Sequence, residues 1–357
     1  MYNINVFYQL KYIYYIKKTG VIFILNELDK KSITYLRVFA TILILCCHLV
    51  VTFNSRLLQL SAQFFNVGVY LFLIISGYIY GKKDISKNTT YTKWLISRGK
   101  RILIPLYVFM IILFCIYITL GLKIEPLNWI VYIFNLQGLE IYVHGAEHLW
   151  YLTIAMVCYF ITPILDKNKY KLNKKKLIIF FIGYLAIQLI MSYFIYEQFG
   201  RYLILIGLYI VSYLIGFYWN SESIDVKMFI LYCISLVFAL SLRIIGMTIF
   251  DGSILYDILI VGYTHSLLGL SIFFIGFYIV KKFELNRFSS IVKKIDAISY
   301  EIYLVHYMFI GGPVSVLLTN NSIFNCFLVI LFTYIFALIL NKICYFIIKF
   351  PLNKNLN

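Results

Sequence analysis

The sequence predicts an all-α fold, a polytopic membrane bundle of about ten transmembrane helices with both termini cytoplasmic. Three observations predict it. The 357 residues are 62% apolar and only 13% charged, against about half and about a quarter in soluble globular domains. Several apolar runs reach the roughly 20 residues needed to cross a bilayer. They are continuous, unlike the short alternating strands of a barrel. The Lys and Arg residues gather in alternate loops, the pattern that orients membrane proteins.

Taken in order, the apolar runs place spans near 33–53, 64–80, 102–122, 149–165, 177–196, 201–219, 228–248, 258–280, 297–318 and 323–348. Residues 1–31 precede them as a basic, aromatic extension. Lys11, Lys17 and Lys18 interrupt its apolar character, so it lacks the clean core of a cleaved signal peptide. An interfacial helix and a dispensable extension both fit. Residues 32–350 read as one membrane-embedded domain, and 351–357 as a cytoplasmic tail. No internal repeat and no low-complexity linker divides the chain.

With the N-terminus inside, 28 of the 32 Lys and Arg fall on inner segments; only Arg56, Lys123, Arg201 and Arg243 lie outside. That asymmetry sets the orientation. It also explains the net charge of +17, so no nucleic-acid partner is expected. The outer segment 123–148 is different in character, with Glu125, Glu140, His144, Glu147 and His148. The seven cysteines all lie in predicted spans without a CxxC pair. They read as small apolar fillers rather than a disulfide or zinc framework.

Ionisable residues inside spans are functional candidates by default. Arg37 and His48 lie eleven residues apart on the first span, about three turns, or roughly 16 Å along the axis. They share a face with Thr34, Thr41 and Thr52, a polar track leading inward from the cytoplasmic side. The plain alternative is that both snorkel to the interfaces. A neutral imidazole can take a proton from a hydroxyl and pass it on, which makes His48 a candidate general base. Arg98 and Arg101, spaced i, i+3, meet on one face at the inner start of the third span. Two guanidinium forks facing one way suit phosphate; an ordinary positive-inside flank is the alternative. With Arg37 on the same side, they could hold an anionic cytosolic donor. In the ninth span, Ser299, Tyr303 and His306 share a face, with Glu301 turned away. Tyr303 and His306 could line the cavity of His48, although a hydrogen-bonded structural histidine is an equal reading of His306.

These motifs, in this order, resemble the acyltransferase-3 family of membrane acyltransferases. That family carries an Arg–x10–His motif, matched by Arg37 and His48, and an R-x-x-R motif, matched by Arg98 and Arg101. The stretch "VGVYLFLIISGYIYG" (67–81) is similar to its second span. "HLWYL…ITPIL" (148–165) and "SYEIYLVH" (299–306) are similar to later signatures. The resemblance covers about residues 32–348, and 32–350 then reads as the acyltransferase domain. It implies transfer of an acyl group, most often acetyl, from cytosolic acyl-CoA to a hydroxyl on a cell-surface glycan or lipid-linked sugar. Acetyl-CoA would be the donor, with Arg98, Arg101 and Arg37 on its phosphates. His48 would act as base or carry the acyl group transiently, with Arg37 in the catalytic constellation. Tyr303, His306, His148 and Trp150 would form the substrate pocket. The implied setting is the bacterial plasma membrane, among lipids and envelope-biosynthesis partners. No appended esterase-like domain is evident, and the first 30 residues depart from the family pattern.

Two rivals remain. A glycan or lipid transporter also carries intramembrane charges, but paired Gly/Pro interruptions in two halves would mark it. This chain has five prolines and no such repeat. "HGAEH" (144–148) matches the H-x-x-E-H pattern of inverted zinc proteases. It contains a glycine and has no evident third ligand, so no metal is expected.

Overall fold

The computed structural model describes residues 27–139, 141–169, 174–195, 201–219, 224–249, 261–283 and 289–349. Most of the N-terminal extension, Glu140 and the tail 351–357 lie outside them. Long helices carry the chain: α1 (Glu27–Val50), α2 (Arg56–Phe65), α3 (Val67–Gly81), α4 (Tyr91–Thr119) and α5 (Trp150–Asn168). They continue as α6 (Lys174–Ile195), α7 (Arg201–Tyr218), α8 (Val226–Ile249), α9 (Tyr263–Phe283), α10 (Ser289–Ala297), α11 (Ser299–Ile310) and α12 (Ser322–Lys349).

Seven helical stretches among the described residues are long and apolar enough to cross a membrane. They are α1, α2 with α3, α4, α5 with the turn before it, α8, α9 and α12. The other three expected spans coincide with α6, α7 and α11. The ninth expected span, 297–318, departs most from expectation. α11 has 12 residues, about 18 Å of helix, against a hydrocarbon core about 30 Å thick. It stops at Gly311-Gly312-Pro313 because two glycines and a proline cannot sustain the helix. The freed backbone is satisfied locally: Val316 N donates to Phe309 O at 3.0 Å, and Ser315 Oγ to Ile310 O at 2.9 Å. Non-helical backbone at such depth is tolerated where protein buries it.

α3 is the axis of the bundle. Tyr70, Leu71, Leu73, Ile74, Ile75 and Tyr78 are all essentially inaccessible. Glycine lets α7 approach this helix closely. A Cβ at Gly77 would run into the Tyr213 carbonyl, and one at Gly81 into the Phe217 carbonyl. From the facing side, a Cβ at Gly216 would strike the Ile74 carbonyl. Small residues four apart allow such backbone contact in membranes, where packing rather than water exclusion joins helices. The outer helices show the converse pattern. Ile179 on α6, Val237 on α8 and Phe346 on α12 are exposed, as lipid-facing residues should be.

Polar side chains within the bundle are mostly tied to backbone or to one another. Thr41 Oγ1 donates to Arg37 O at 2.9 Å, and Thr52 Oγ1 to Leu49 O at 2.7 Å. The threonine stripe expected as an open polar track is therefore partly closed by its own helix. At the basic end, Asp29 joins three helices: Lys281 Nζ lies 2.5 Å from its Oδ1, and Tyr78 donates to its Oδ2 at 3.3 Å.

Gly77→Val should lower the thermal unfolding midpoint of the detergent-purified protein, because overpacking costs about 1–3 kcal/mol. Gly183→Ala, where a Cβ meets nothing within 4 Å, should leave the midpoint unchanged. Equal midpoints for Gly77→Val and the parent would reject the close α3–α7 contact.

Candidate active site

Three of the five histidines meet at one place. α1 supplies His48 from its last turn, the turn before α5 supplies His148, and α11 supplies His306. Their ring centroids are 5.2 Å apart for His48–His306, 4.6 Å for His148–His306 and 6.2 Å for His48–His148. His148 and His306 are buried. Tyr307 completes the cluster, with its ring 4.9 Å from His48 and 5.4 Å from His148.

Backbone carbonyls fix the tautomers of two of these rings. His148 Nε2 lies 2.7 Å from Tyr303 O, and His306 Nδ1 lies 2.9 Å from the same oxygen. A carbonyl only accepts, so both nitrogens carry a proton. In the neutral ring the other nitrogen is then bare. His148 Nδ1 and His306 Nε2 are both buried without a hydrogen-bond partner among the described residues. Two basic lone pairs thus stand ready beside His48. Tyr303 also binds back, its hydroxyl donating to His148 O at 2.6 Å.

A cavity of about 330 Å³ runs inward from the basic end as far as Tyr303, and none of the three clustered histidines lines it. Tyr303 and Tyr151 line its inner part; Arg37, Lys83, Arg98 and Arg101 line its mouth. The Ser299–Tyr303–His306 face read from spacing is observed: Ser299 and Tyr303 line the cavity, and His306 lies beyond Tyr303. Arg98 is held between rings, 4.8 Å from the Trp94 centroid and 5.4 Å from that of Tyr80, whose hydroxyl accepts from Nη1 at 2.8 Å. Its Nε is buried without a hydrogen-bond partner among the described residues. Such stacking orients a guanidinium without neutralising it. Arg37 Nη2 instead pairs with Asp296 Oδ2 at 2.6 Å. Burial raises the Asp296 carboxyl above its usual range, with Arg37 and Thr34 opposing the shift. Burial also lowers Lys83, with Arg98 and Arg101 adding to that shift and Tyr80 opposing it.

Other expectations meet different geometry. Trp150 is half-buried against Tyr209, with centroids 5.1 Å apart, and does not line this cavity. "HGAEH" is pulled apart by Gly145, whose φ is +94°. His148 turns into the cluster. His144 stays at the surface, 3.0 Å from Glu147 Oε1, while Glu147 Oε2 accepts from Gly145 N at 2.7 Å. No group of three metal-binding side chains forms among the described residues. Sequence reasoning passed over Asp296, Tyr307 and Lys83. A lone acid within the basic stretch "VKKIDAISY" was the available signal for Asp296. Tyr307 had none beyond its place next to His306.

A family model described as an acyltransferase domain matches residues 30–342. No curated protein and no solved structure matches the chain. The match spans both arginine motifs, the histidine cluster and the cavity between them, so the chain belongs to the acyltransferase-3 family of membrane acyltransferases, enzymes that transfer acyl groups.

Proposed function

We propose that this acyltransferase moves an acetyl group from cytosolic acetyl-CoA to a hydroxyl of a cell-surface or lipid-linked glycan. The observation that carries this reading is a cavity with cations at its mouth whose inner wall, Tyr303, packs against the His148 and His306 rings of the histidine cluster. The basic end faces the cytosol of a bacterial plasma membrane, a sidedness supported by the 28-to-4 division of Lys and Arg. Envelope-biosynthesis enzymes would supply the acceptor.

Arg98, Arg101 and Arg37 bind the donor's phosphates, with Lys83 adding charge. Charge-assisted hydrogen bonds to guanidinium forks suit that task. The thioester arm follows the cavity past Tyr151 toward Tyr303. A volume of about 330 Å³ accommodates a slender arm with a short acyl group. His48 accepts the proton of the acceptor hydroxyl as its oxygen attacks the thioester carbonyl. The new C–O bond forms, the C–S bond breaks, and the imidazolium returns its proton to the departing thiolate. His148 and His306, whose tautomers are set by Tyr303 O, offer lone pairs that orient the attacking hydroxyl. Tyr303 closes the cavity between the donor arm and the cluster. Trp150 packs against Tyr209 behind the cavity and does not touch substrate.

His48→Ala should abolish acylation, a loss of at least about 10²-fold, while the protein still inserts. Mass spectrometry of surface glycans would read the missing acetyl mass. Retained modification would remove His48 from the chemistry. Arg98→Ala with Arg101→Ala should raise the KM for the donor by about tenfold or more, since each charged hydrogen bond is worth about 1.5–3 kcal/mol; an unchanged KM would reject the phosphate role. Cysteines introduced in 123–139 should label from outside, and those in 174–176 only from inside. The reverse labelling would invert the orientation.

A further inference from the structure

The basic end holds a second recess, of about 800 Å³, between α4 and α12. Its α4 wall runs from Lys93 to Pro105, twelve residues or about 18 Å along the helix. It meets the central cavity at Arg37, Arg101, Ser299 and Tyr300, which line both.

Three features define its chemistry. The first is charge. Arg37 is engaged by Asp296 at 2.6 Å, and Glu301 accepts from Asn341 Nδ2 at 3.0 Å. Lys93, Lys100 and Arg101 also line the recess, and none has an ion-pair partner among the described residues. The second is the rim. Ile96 is 52% exposed, Tyr345 53% and Ile348 55%, so the recess opens sideways between two spanning helices through apolar lips. The third is Asp296 Oδ1, a buried acceptor without a hydrogen-bond partner among the described residues in a residue that lines the recess.

We propose that this recess binds an anionic glycerophospholipid from the adjacent leaflet. Its phosphate sits between Lys93 and Lys100, which line this recess and not the central cavity. A headgroup hydroxyl donates to Asp296, and an acyl chain covers Ile96, Tyr345 and Ile348. Basic pockets between spanning helices attract anionic headgroups in this way. A nucleotide offers phosphate and hydroxyls too, but it has no chain to cover the apolar lips. The proposal stands on the recess alone, whatever the donor in the central cavity.

The test is native mass spectrometry of the full-length protein in mild detergent. The protein is equilibrated with equimolar phosphatidylglycerol and phosphatidylcholine, with no acyl donor present. Phosphatidylglycerol should be retained preferentially. Lys93→Ala with Lys100→Ala should weaken its retention about thirtyfold, equivalent to roughly 2 kcal/mol for two lysines. Lys174→Ala with Lys175→Ala, the same charge change elsewhere, should leave it unaffected. No preference for phosphatidylglycerol, or equal losses in the two double variants, would overturn the proposal. So would unchanged lipid retention with a raised donor KM in Lys93→Ala/Lys100→Ala, which would give the recess to the donor's nucleotide. If acyl transfer itself proves absent, the lipid readout still decides.

Discussion

The carbonyl oxygen of Tyr303 holds the histidine cluster together. It accepts from His148 Nε2 at 2.7 Å and from His306 Nδ1 at 2.9 Å, joining a loop residue to a helix residue 158 positions away in the chain. A bilayer supplies no water to satisfy such groups, so each imidazole must find its partner inside the bundle. The two bonds decide which nitrogens are protonated and so which lone pairs remain free. They also require α11 to pass through the protein interior. A lipid-facing helix would put those rings into hydrocarbon. The short length of α11 follows: it reaches the histidine cluster and stops, and the Gly311-Gly312-Pro313 turn carries the chain away.

The basic end answers a different constraint. Cations near a membrane surface are tolerated without partners, whereas cations at depth need them. Arg101 is exposed and has no ion partner among the described residues, Arg98 is sandwiched by Trp94 and Tyr80, and the more interior Arg37 has Asp296. This gradation leaves most free positive charge at the cavity mouth. A polyanion arriving there meets guanidinium groups already oriented, so less side-chain entropy is lost on binding. Arg37 is different because its guanidinium is already engaged by the Asp296 carboxylate. The α3–α7 glycine contact makes the arrangement firm. Backbones in direct contact leave little freedom for α3, whose Tyr80 in turn carries Arg98.

The sequence by itself determined the class of the molecule and which of its residues share a helix face. Apolar length and charge asymmetry are local properties, and helix periodicity places Arg37 and His48, or Ser299, Tyr303 and His306, on common faces without knowledge of any neighbour. Periodicity cannot say which faces of different helices meet. Only the tertiary structure brought His48, His148 and His306 within 6.2 Å of one another, paired Arg37 with Asp296 across 259 residues, and turned Trp150 onto Tyr209. It also cut the ninth apolar run short, because in an apolar chain a buried half-helix and a spanning helix have the same composition. The physical reason is the same in each case. Within a helix, spacing fixes direction; between helices, contact depends on side-chain volume and on where small residues such as Gly77 and Gly216 let backbones close, and these are properties of the assembled bundle.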